Sequence, residues 1–90
     1  MRACHISAMG MYFFDTRNCG TFVRDDEGLE CADVEAVRTQ AAKSLAELAL
    51  DVLPRTTDCL LAVDVRNERE EPVLVTELTF KAQLLVGSAG

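Results

Sequence analysis

The sequence has a single histidine, His5, and no C-x-x-C pair among its four cysteines. A hydrolase or transferase that pairs its nucleophile with an imidazole base would have to use His5. The absent C-x-x-C spacing excludes zinc knuckles and thioredoxin-type redox motifs. The five glycines never form G-x-G-x-x-G or G-x-x-x-x-G-K-S/T, so no phosphate cradle is present. No apolar run approaches the ~20 residues of a membrane span. Basic residues are also scarce: nine against fifteen acids, for a net charge of −6. Nucleic-acid binders gain affinity from Lys and Arg that displace counterions at phosphates, so direct nucleic-acid binding is not expected. An acidic surface suits solubility, or a basic protein partner.

What is present is one small domain. Its apolar and charged fractions, 49% and 27%, are those of an ordinary globule. A chain of this length buries only about 60–65% of its unfolded surface, and a homodimer would add buried area. Cys4, Cys19, Cys31 and Cys59 read as free thiols of a reducing cytoplasm, because no secretory leader is evident.

Residues 1–8 show no periodicity. From Met11, "MYFFDTR" alternates as a strand, with Tyr12, Phe14 and Thr16 on one face and Phe13 and Asp15 on the other. Asn18 and Gly20 in "RNCG" supply turn chemistry, and "TFVRD" reads as the returning strand. "DDEGLECAD" is a connection broken at Gly28. Asp33 is placed to cap a helix, with Glu35 in its first turn. Val34, Val37, Ala41, Leu45, Leu48 and Val52 recur at a 3.6-residue period, which predicts a helix from Val34 to Leu53, stopped at Pro54. Lys43 and Glu47 stand four apart on its surface. "PRTTD" is a loop. "CLLAVDVR" is a third strand, with Leu61, Val63 and Val65 opposed to Ala62, Asp64 and Arg66. After the polar turn "NEREEP", "VLVTELTFKA" is a fourth. There Leu74, Thr76, Leu78 and Phe80 oppose Val75, Glu77, Thr79 and Lys81.

These elements specify an α+β fold, a two-layer ββαββ domain over residues 9–82. One long helix lies on one face of a four-stranded antiparallel sheet of order 2-1-3-4. The face carrying Asp64, Arg66, Glu77, Thr79 and Lys81 is left to solvent or a partner. Residues 83–90 form a short tail.

The acidic segment Asp25, Asp26, Glu27 and Glu30 does not reproduce the ligand spacing of a calcium loop. It reads as a solvated connection, or as a corner that meets a basic partner. Cys31 precedes the helix cap, and a helix N-terminus lowers a thiol pKa. The acids around it oppose that effect, and a small buried hydrophobe is the plainer reading. Cys19, in a turn, is the other candidate reactive thiol; Cys59 reads as buried. No catalytic, cofactor or metal residue is assigned.

The order "GMYFFDTRNCGTFVRDDEGLE", "ADVEAVRTQAAKSLAELA", "LAVDVRNE", "PVLVTELTF" resembles a family of short uncharacterised alphaproteobacterial proteins, notably rhizobial. Its members typically begin Met-Pro-Arg-Tyr-Phe-Phe-Asp and reach an Asp-Glu-Glu-Gly segment before the helix. The resemblance spans about Met9 to Phe80. It implies a fold and a bacterial origin, and no activity. Because members start at the position of Met9, residues 1–8 read as an unstructured leader or a misassigned start. "NEREEP" departs from the family's usual Asp-Gly turn.

Three functional classes follow. The first is a non-catalytic protein-interaction or regulatory module. The second is an antitoxin-like partner that neutralises a basic toxin through acidic surface or an open sheet edge. The third is a redox sensor or enzyme using Cys31 or Cys19.

Overall fold

The computed structural model describes residues 10–86. The readings of residues 1–8, with Cys4 and His5, lie outside the described residues, as does the end of the tail. Five strands and one long helix follow in order: β1 (Gly10–Asn18), β2 (Thr21–Val23), β3 (Leu29–Cys31), α1 (Val34–Val52), a 3-10 turn (Leu53–Arg55), β4 (Asp58–Arg66) and β5 (Pro72–Lys81). The sheet is antiparallel throughout, in the order β2-β1-β4-β5, with β3 also on β1. The expected 2-1-3-4 order of the two hairpins therefore holds. The four-strand count does not.

The difference lies in the returning arm of the first hairpin. Thr16 pairs with Val23 and Tyr12 with Leu29, so five residues, 24–28, face three of β1. The surplus bulges out and splits the arm into two three-residue strands. The hairpin turn also differs in detail. Asn18 faces Thr21, and the two loop residues, Cys19 (φ 49°) and Gly20 (φ 92°), both take positive φ. That is the two-residue turn whose twist matches the flanking strands. Cys19, rather than Asn18, carries the left-handed backbone.

The helix starts where its cap predicts: Asp33 is extended, and its carboxylate accepts from the Ala36 N–H at 2.8 Å. Pro54 sits in the 3-10 turn that ends it. Surface ion pairs form at Glu35–Arg38 and Asp51–Arg55. Lys43 and Glu47, four apart and spaced for a weak pair, do not form one among the described residues.

One face of the sheet meets the helix. Val37, Ala41 and Cys31 pack on Val63 and Val65, with Tyr12, Phe14, Leu45 and Leu74 around them. A second cluster joins Ala49 and Val52 to Cys59 and Leu61. The predicted strand faces are those observed, but the helix stripe shifts at its ends. Val34 is 74% exposed, and Ala49 takes a buried place the stripe did not assign it. Val34 lies at the rim of an apolar cavity beside Tyr12, Val37 and Leu74 instead of in the core.

The "NEREEP" turn is closed by a side chain rather than by glycine. The Asn67 carboxamide oxygen accepts from the Arg69 and Glu71 amides at 2.9 and 3.0 Å. Its nitrogen donates to Glu71 Oε1. This is the Asx-type arrangement that lets an asparagine stand in for backbone.

Replacing Leu61, fully buried under the helix, with alanine is expected to cost about 2–5 kcal/mol. Val34→Ala is expected to stay within about 0.5 kcal/mol, as for an exposed position. Urea titration of the two variants checks the shifted stripe.

Candidate functional site

The face of the sheet away from the helix holds the densest polar chemistry. Asp15 on β1 and Arg66 on β4 are both buried, with side chains 8% and 10% exposed. The Arg66 Nε–H donates to Asp15 Oδ2 at 3.0 Å, and Nη2 donates to Asp15 Oδ1 at 3.4 Å. Nη2 also donates to the Asp25 carbonyl at 2.6 Å, and Nη1 to Glu70 Oε2 at 3.3 Å. The guanidinium carbon lies 4.5 Å from the centre of the Phe13 ring, a cation–π contact. All three nitrogens of the guanidinium are thus engaged. This corrects the expectation that Arg66 faces solvent or a partner: the 24–28 bulge folds over it.

Asp25 shapes that bulge. Its Oδ2 accepts from the Phe14 amide at 3.0 Å, in the gap between the two short strands. Its Oδ1 accepts from the Glu27 and Gly28 amides at 3.1 and 3.3 Å. The Asp25 amide donates to Asp15 Oδ1 at 2.9 Å. Burial, the largest single influence, pushes the Asp25 carboxyl up. The three amide donors and the Arg66 charge together outweigh it, so the pKa falls below the usual range. Gly28 is required by sterics. A Cβ there would lie 2.8 Å from Phe13 Cε2, at a φ of +76°.

The acidic segment therefore divides. Asp25 is spent within the fold. Asp26 is 84% exposed at its side chain, in a 3.5 Å pair with Arg24, and Glu27 and Glu30 are exposed. Only these three face outward as a corner. Among the described residues no group of three His, Cys, Asp or Glu side chains is placed to hold a metal ion.

The cysteines depart furthest from expectation. Cys19 and Cys59 form a disulfide, with Cα atoms 4.9 Å apart across 40 residues of sequence. It ties the first turn to the start of β4, beside the hydrogen bond from the Cys19 amide to the Leu60 carbonyl. Cys19 is therefore not a free reactive thiol, and neither is Cys59. Cys31 is free and buried. Burial first, and the charge of Asp33 second, push its thiol pKa up, which disfavours the thiolate.

A second ionic row lies beside the buried pair. Arg17 Nε donates to Asp64 Oδ2 at 2.8 Å and reaches Glu77 at 3.6 Å. Ala62 stands between Arg17 and Glu77 in the strand register, small enough to let them meet. Past this row β5 is the sheet's edge, with Val73, Val75 and Leu78 exposed.

Alternation within β1 and β4 places Asp15 and Arg66 on one face once the two strands are neighbours, but the sequence leaves Arg66 to solvent or a partner and does not pair the two. The covering bulge had no comparable signal, because nothing in "RDDEG" says that the first of its consecutive acids turns inward.

Together these features define a small two-layer α+β domain, with a buried ionic clasp on one sheet face and a helix on the other. The chain belongs to the family described as Domain of unknown function (DUF6894), whose model matches residues 11–79. No curated protein and no solved structure matches it.

Asp25→Asn leaves one carboxamide oxygen where two carboxylate oxygens serve three amides. An unsatisfied amide is expected to cost about 1–3 kcal/mol near neutral pH. The folded pKa of Asp25 is depressed, so its contribution is present above the ordinary aspartate value of ~3.9 and is lost as pH falls through the folded pKa. The stability gap between wild type and variant should therefore close in acid; a pH-independent gap counts against the assignment. Cys19→Ser with Cys59→Ser is expected to lower the free energy of unfolding by about 2–4 kcal/mol, read by denaturant titration against the oxidised wild type.

Proposed function

We propose that the domain is a non-catalytic protein-interaction or regulatory module. The observation that carries this reading is the apolar strip along β5. Val73, Val75 and Leu78 are exposed there, and Val34 and Leu50 stand 74% and 79% exposed on the helix. Exposed apolar side chains gathered at one side of a small domain are the usual mark of a contact surface. The polar chemistry supports the same reading, since the Arg66 cluster is internally satisfied and leaves little to act on a substrate.

A second reading, an antitoxin-like partner of a basic toxin, is favoured by the outward Asp26, Glu27 and Glu30. Binding through that corner would weaken with salt. The thiol-sensor reading is supported by neither Cys19 nor Cys31. Bacterial, specifically alphaproteobacterial, origin belongs to the proposal and is supported by the sequence resemblance. No helix among the described residues is long and apolar enough to cross a membrane. A cytoplasmic location rests on free thiols, and the Cys19–Cys59 bond removes part of that support, since disulfides persist chiefly in oxidising compartments.

The test is affinity capture from the native host at low salt, with the wild type and with Val75→Asp. The expected outcome is a partner retained by the wild type and lost with the variant. Recovery of the same proteins by both contradicts the strip as the surface. Loss on Asp26→Asn/Glu27→Gln instead favours the acidic corner.

A further inference from the structure

The two edges of the sheet are built differently. On the β1 side the edge consists of two three-residue strands interrupted by a bulge and dressed with acids. Short, bulged and charged edges resist pairing with another chain. β5 has one such irregularity, where Val73 is left over between the Val65–Leu74 and Arg66–Pro72 pairs at its start, and none from Leu74 to Phe80. It runs ten residues, with Pro72 at one end and Lys81 at the other, and the eight residues between carry one charge, Glu77. Its outward backbone groups are fixed by the inner ladder. Ala82 N–H donates to the Thr57 carbonyl, continuing the register Asp58↔Lys81. Residues alternate in direction along an antiparallel strand, so Val75, Glu77, Thr79 and Lys81 turn N–H and C=O away from β4.

We propose that β5 pairs antiparallel with β5 of a second copy of this chain, about a two-fold axis at Thr79. This rests on the interaction-module reading and adds a second copy of the chain as an occupant of the β5 edge. The register follows from charge. With the axis at Thr79, each Glu77 faces Lys81 of the second copy, and both pairs fall at outward-facing positions able to hydrogen-bond. An axis at Glu77 would set two carboxylates against each other, and an axis at Lys81 two ammonium groups; like charges directly opposed are destabilising. The same register matches the apolar residues. On the helix side, Leu78 of each copy faces Phe80 of the other, and Leu74 faces Leu84.

The Leu74–Leu84 match explains two separate features. Leu84 is 80% exposed in the segment after β5. Leu74 borders an apolar cavity of about 110 Å³, also lined by Tyr12, Val34 and Val37. When residues 82–84 extend the strand, Leu84 of the second copy stands at the mouth of that cavity and covers Val34. The Arg17 pairing of Glu77 is compatible with this arrangement, because the Glu77 side chain stays 54% exposed and its carboxylate has capacity for a second cation. The pairing is β-augmentation with identical partners, giving a closed, isologous dimer.

The experiment is sedimentation equilibrium of the whole chain across a wide concentration range, with Glu77→Lys, Lys81→Glu and the double exchange. Far-UV circular dichroism and thermal melts check that each variant folds. The wild type is expected to dimerise reversibly. Each single variant should weaken the dimer at least tenfold, and the double exchange should restore it, because opposite charges face each other again. Leu84→Asp is expected to weaken the dimer with the monomer fold intact. A wild type that stays monomeric at millimolar concentration overturns the proposal; so does a dimer indifferent to the single charge changes. Either result leaves the interaction-module reading to its own test, since Val75→Asp is scored there on retention of a different protein.

Discussion

The fold turns on one guanidinium. Arg66 joins β4 to β1 through Asp15, to the 24–28 bulge through the Asp25 carbonyl, and to the final turn through Glu70. It does so on the sheet face that has no helix to cover it. A buried charge is costly unless paired and hydrogen-bonded, and here each of the three nitrogens has an acceptor. The bulge that closes over it is held by the Asp25 carboxylate, which replaces a missing strand partner for Phe14. Gly28 lets the bulge lie against Phe13, and Phe13 lies beneath the guanidinium. The opening aromatic strand, the acidic-glycine segment and Arg66 thus form one unit, though 51 residues separate Asp15 from Arg66.

This arrangement divides the domain's two sides. The β1 edge is consumed by the bulge and its acids. The β5 edge keeps its backbone groups outward and its valines exposed. With the interior polar groups satisfied, the chemistry left for other molecules is surface chemistry: an apolar edge on one side and a small acidic corner on the other. That distribution is why a contact-forming role is the reading advanced for this DUF6894 domain.

Much of the architecture was legible in the residue order. The helix and its Asp33 cap, the faces of β1, β4 and β5, and the pairing within each hairpin follow from periods of 3.6 and 2 and from short turns; the contact of β1 with β4 does not. Three further features were not legible. The split of β2 from β3 depends on a side chain taking a backbone acceptor's place, which no periodicity records. The Cys19–Cys59 bond joins positions that come together only once β1 and β4 pair, and spacing cannot select a disulfide in advance. The exposure of Val34 and the burial of Ala49 against Cys59 and Leu61 depend on how the helix is rotated on the sheet, a tertiary fact. Of the acidic segment, Asp25 departs from the expected outward corner, because an inward carboxylate and an outward one look alike in sequence.

Amide hydrogen exchange tests the central claim most directly. The amides of Phe14, Asp25 and Gly28 have carboxylate acceptors rather than strand carbonyls. The account predicts that all three are protected and open together with the β1–β4 ladder. Exchange of these amides at unfolded-peptide rates, while the ladder stays protected, would show that the clasp does not hold the bulge.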